Sequence, residues 1–84
     1  MSETSSVESI HEILTQVWSE VLGVKVGPGD DFFDLGGDSV ASVQAMFRVS
    51  ELIGTEIPPT AIYAHPTIEE LAVQVELLSK GAPA

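Results

Sequence analysis

Apolar positions recur at helical spacing along most of this chain. Val7, Ile10, Ile13, Leu14, Val17, Trp18, Val21 and Leu22 fall at intervals of three and four with polar residues between them. That stripe predicts an amphipathic helix of about four turns. Ser5 and Glu8 have capping-box spacing at its start, and Gly23 is its stop. A second apolar run extends from about Ser39 to Ile53 and ends at Gly54. Between Pro58-Pro59 and His65-Pro66, Thr60 to Ala64 can form only about one turn. Thr67 and Glu70 repeat the capping-box spacing, and Ile68, Leu71, Ala72, Val75 and Leu78 give the inward stripe of a last helix. Residues 79–84, SKGAPA, are expected to fray. No strand signal exceeds a few residues, and there is no internal repeat. The pattern predicts an all-α fold, a four-helix bundle with three main helices and a short third one, antiparallel around one core. That core should include Ile10, Leu14, Val17, Leu22, Leu35, Val49, Leu52, Leu71 and Val75.

The stretch between the first two helices, GVKVGPGDDFFDLGGD, suits no regular element. It is long for a loop and carries Phe32, Phe33 and Leu35, so it should fold back onto the helices. The second helix has apolar residues on two sides. Projected at about 100° per residue, Ser42, Ala45, Met46, Val49, Leu52 and Ile53 form a broad arc. Val40, Val43 and Phe47 form a narrower arc roughly opposite, and Gln44, Arg48 and Glu51 lie on the polar edge between them. A surface helix needs one apolar stripe. The broad arc is the better core face. The narrow one is a partner surface, or else the seat of the folded-back loop.

Composition narrows the class. Eighty-four residues make one domain, with a core spanning about residues 6–79 and flexible ends. A chain this short has a thin stability margin, and without cysteine no disulfide or thiolate metal site supports it. The formal charge is −10, with Lys25, Arg48 and Lys80 the only basic residues apart from two histidines. Nucleic-acid binding needs Lys and Arg on phosphates, so nucleic acid and anionic membranes are poor partners. Basic protein surfaces are natural ones, although acids can simply keep a domain soluble. The start, MSETSSVES, is not a signal peptide, and no run approaches the length of a membrane span. A cytoplasmic monomer is expected.

Asp34 to Val40, DLGGDSV, carries the candidate chemistry. Ser39 has three readings. As a nucleophile it would need a base, an orienting acid and an oxyanion hole. His11 and His65 are the only histidines, His11 lies on the polar side of its helix, and the G-x-S-x-G pattern of a nucleophile elbow is missing. As a helix cap Ser39 would be ordinary, since Ser and Asp are favoured caps and Gly-Gly relaxes the backbone before a helix. Asp38, however, can cap the helix by itself and leave Ser39 free. As an attachment point Ser39 is well placed, because unpaired N–H groups and the dipole favour an anion at a helix N-terminus. Gly36 and Gly37 would leave room for a modifying enzyme. A calcium loop built from Asp30, Asp31, Asp34 and Asp38 fails on pattern, since DDFFDLGGDSVA lacks alternating acids and ends in Ala41.

DDFFDLGGDSV resembles the core motif of phosphopantetheine-dependent carrier proteins, in particular the peptidyl (thiolation) branch of nonribosomal peptide synthesis. The likeness continues through the Q and R of VQAMFRV, the G-x-E-I-P of GTEIPP, the A-I-Y of TAIYAHPT and the L-A of IEELA. WSEVLG fits the family's first helix. The resemblance covers about residues 8–78. It implies a right-handed carrier-protein bundle in which Ser39, supported by Gly36, Gly37 and Asp38, receives 4′-phosphopantetheine from coenzyme A. The arm would hold aminoacyl or peptidyl cargo, or acyl or aryl cargo, as a thioester. The chain itself would catalyse nothing. The implied partners are a phosphopantetheinyl transferase and adenylation, condensation or tailoring enzymes. Val40, Val43, Phe47 and Ile62 are the expected partner surface. No metal site is expected.

Asp38 stands where many peptidyl carriers have histidine, a form shared with carriers serving epimerising or aryl-loading steps. Helix two bears one acid, Glu51, whereas fatty-acid and aromatic-polyketide carriers usually have an acidic second helix. A discrete carrier of a secondary-metabolite pathway is the simpler expectation, against a module excised from a synthetase. The alternatives are a polyketide-type acyl carrier and a small acidic interaction module without the arm.

Overall fold

The computed structural model describes residues 7–80 of the chain. Four helices follow one another: α1 (Val7–Leu22), α2 (Ser39–Ile53), α3 (Ala61–Ala64) and α4 (Ile68–Lys80). Helix α1 packs on both α2 and α4, and α3 lies against α4. The caps explain the boundaries. Gly23 follows α1 and Gly54 follows α2, and each donates its N–H to the carbonyl four residues back. Thr67 Oγ1 accepts the Glu70 N–H at 3.3 Å and starts α4. Thr60 precedes α3 rather than belonging to it. Helix α4 continues through Ser79 and Lys80, where fraying was expected. Ser5, half of the first capping box, lies outside the described residues.

The core is built from all four helices and both long loops. Ile10, Leu14, Val17 and Trp18 of α1 meet Ala45, Met46 and Val49 of α2, and Ile68, Leu71, Ala72 and Val75 of α4. Val26, Phe32 and Ile57 enter from the loops and Ile62 from α3. Six of the nine expected core residues are fully buried, while Leu22 and Leu35 pack only partly against the cluster. Leu52 is a correction, being 58% exposed. It stands one turn after Arg48 on the polar edge, where the guanidinium reaches across to Glu20 of α1. Leu78 is likewise at the surface, as are Val73 and Leu77. Among the described residues, no helix is long and apolar enough to cross a membrane.

The first loop is anchored at several points. Phe32 is buried with its ring edge-on to Trp18 at 4.8 Å. Its N–H donates to the Pro66 carbonyl, and the Glu69 N–H donates to the Pro28 carbonyl, which ties the loop to the start of α4. The aspartates of DDFFD serve as turn acceptors. Asp30 Oδ2 takes the Gly27 N–H at 2.9 Å. Asp31 Oδ1 takes the N–H groups of Phe33 and Asp34.

Candidate functional site

The loop delivers the chain to α2 through two glycines with different tasks. Gly36 has a φ of +104°, a conformation that side chains with a Cβ avoid. Gly37 lies so close to Phe32 that a Cβ there would sit 2.8 Å from the Phe32 carbonyl oxygen and closer still to the ring. The pair therefore shapes the loop around a core aromatic, a more specific duty than leaving space for an enzyme.

Asp38 is the N-cap of α2. It has extended backbone, and its Oδ1 accepts the Ala41 N–H at 2.8 Å. Ser39 follows as the first helical residue and is exposed. Its side chain takes part in no hydrogen bond within the described residues. Asp38 thus does the capping and leaves the Ser39 hydroxyl unengaged.

Beneath it, Ser42 is fully buried, and its Oγ donates to the Ser39 carbonyl at 2.8 Å. The same Oγ lies 3.5 Å from the Tyr63 hydroxyl of α3. The Tyr63 ring stacks on Phe33 with centroids 5.0 Å apart and planes 18° from parallel. Loop, α2 and α3 converge in this way on the turn that holds Ser39. Sequence reasoning placed Ser42 in the core arc and gave Tyr63 no role. A four-residue helix has no periodicity to show which of its side chains reaches a neighbour.

Val40, Val43 and Phe47 are all more than half exposed. Phe32 and Phe33 do not cover them, since these rings pack on Trp18 and Tyr63. Val43 and Phe47 line an open groove of about 400 Å³ with Ile57, Pro59, Glu51 and Glu56. Ile62 is also a correction. It was expected on the partner surface but is fully buried, because it is the side chain with which α3 closes the core.

A family model for the phosphopantetheine attachment site matches residues 12–74. The chain belongs to that family. It is a phosphopantetheine carrier domain, and carriers of this kind are non-catalytic. Tyrocidine synthase 3 of Brevibacillus parabrevis is 47% identical over 60 residues, covering 70% of this chain and 1% of that protein. The chain spans only about 1–3% of the length of the curated relatives it matches. Among solved structures, a type-II acyl carrier protein from Streptomyces verticillus, involved in bleomycin biosynthesis, superposes with a TM-score of 0.79 at 28% identity. That match covers 82% of this chain and 84% of the other. A peptidyl carrier protein solved with the phosphopantetheine transferase Sfp and coenzyme A gives a TM-score of 0.74 at 33% identity, covering 79% of this chain and 87% of that one. The residues around Ser39 suit a covalent arm: the hydroxyl is exposed, it has no competing partner among the described residues, and the turn beneath it is held by its neighbours.

Proposed function

We propose that Ser39 is the residue to which 4′-phosphopantetheine is joined. The domain then carries aminoacyl or peptidyl intermediates in nonribosomal peptide or hybrid secondary-metabolite assembly. The observation that carries this reading is the division of labour at the α2 N-terminus, where Asp38 caps and Ser39 stays exposed. A phosphodiester on Ser39 would lie at the positive end of the α2 dipole, in a first turn without acids. In the attachment, Ser39 Oγ displaces adenosine 3′,5′-bisphosphate from coenzyme A. The Oγ–P bond forms, the pyrophosphate P–O bond breaks, and the hydroxyl proton leaves to a base of the transferase. The bound group supplies a thiol on a flexible arm, in a chain with no cysteine to compete for cargo.

The likeness to tyrocidine synthase 3 supports peptidyl cargo. The likeness to the bleomycin-pathway acyl carrier supports extending the cargo to acyl groups. Val40, Val43 and Phe47 form the partner surface in this reading. They offer apolar contact beside the anchor to the transferase and to adenylation, condensation or tailoring enzymes. Incubation with coenzyme A, magnesium and a broad-specificity phosphopantetheinyl transferase should add the mass of one phosphopantetheine. Ser39→Ala should abolish the gain while circular dichroism stays unchanged. A wild-type protein left unmodified beside a modified control carrier would overturn the reading.

A further inference from the structure

Ser42 and Tyr63 form a hydroxyl pair directly beneath Ser39. A serine hydroxyl has one proton and two lone pairs. The Ser42 proton is committed to the Ser39 carbonyl at 2.8 Å. Only a lone pair remains for Tyr63, which fixes the order: Tyr63 O–H faces Ser42 Oγ, and Ser42 O–H donates to Ser39. At 3.5 Å the outer contact is longer than a settled O–H···O bond of about 2.7–2.8 Å. A sub-ångström movement of α3 is enough to close or open it. Tyr63 is also the residue through which α3 stacks on the loop at Phe33, and Phe33 meets Phe32 edge-on at 5.3 Å. Ser42 is the sole buried polar residue of the described core, and burying its hydroxyl is tolerable because it is hydrogen-bonded.

We propose that the Tyr63 hydroxyl, acting through Ser42, is a positioning device for Ser39. It sets α3 against the first turn of α2 and so fixes the backbone from which Ser39 projects toward the incoming phosphopantetheine donor. This rests on Ser39 being the attachment residue. Tyr63 touches no reacting atom in this account.

Tyr63→Phe keeps the ring and its stack on Phe33 and removes only the hydroxyl. Ser42→Ala removes the middle of the chain and leaves the half-exposed Tyr63 hydroxyl free to bond water. Both variants should still gain one phosphopantetheine from coenzyme A. Misplacing a nucleophile slows the bond-making step, so kcat should fall about three- to tenfold while KM for the carrier and for coenzyme A stays constant. The double variant should be no slower than the worse single one, because coupled groups are not additive. In the unmodified protein, the Ser39 and Val40 amide resonances should shift in both variants, a readout that needs no transferase. A folded Tyr63→Phe protein with wild-type kcat would overturn the proposal, as would losses that multiply in the double variant. If Ser42→Ala fails to fold, Tyr63→Phe alone decides. Failure of the attachment reading itself looks different: the wild type takes up no group, or takes it up elsewhere.

Discussion

Gly37 is the residue on which the shape of the Ser39 turn depends most directly. Its missing Cβ admits the Phe32 ring, and its N–H donates to the Phe32 carbonyl at 3.1 Å. Gly37→Ala must displace Phe32 from Trp18, and overpacking of this kind costs about 1–3 kcal/mol. Denaturant unfolding should show that loss, and an unchanged midpoint would mean that Phe32 can be rehoused. The sequence made the serine and its cap legible, because Asp-Ser before an apolar run is a local signal. It did not reveal the duty of Gly37, since the partner is five residues away in a loop without periodicity. Ile62 was misread for a related reason. Being one residue from Tyr63 on a single turn, it points elsewhere, and only the neighbouring helices decide which of the two is covered.

Among elements, α4 and α2 make contrasting tests. Leu71 is fully buried in the core cluster, so Leu71→Ala should cost about 2–5 kcal/mol. Leu52→Ala should stay within about 0.5 kcal/mol, since the side chain is largely solvated. Paired thermal melts check both, and equal shifts would contradict the register assigned to these helices. On the opposite face of α2, Val43→Asp should leave the melt nearly unchanged and reduce cargo loading at least several-fold. Unchanged loading in that folded variant would remove Val43 from the partner surface. Helix limits were legible because caps and glycines mark them locally. The width of the α2 core face was not, because Leu52 obeys the apolar period yet stands beside the Arg48–Glu20 pair.

At the scale of the molecule, the formal charge of −10 acts on encounter more than on fold. Added salt should raise KM for the carrier with a basic partner and leave kcat nearly constant, because screening weakens steering. A salt-independent KM would show that apolar contact alone governs docking. The bundle was legible from periodicity, and the family from motifs spread over most of the chain. The packing of the first loop was not, because it is set by Trp18, Pro66 and Glu69, which are brought together only in the folded chain. In the proposed function one serine carries the arm. Fragment-ion mass spectrometry of the modified wild type tests it most directly. A single phosphopantetheine should be found on Ser39, and the group found on Ser42 or Ser50 instead would contradict that assignment.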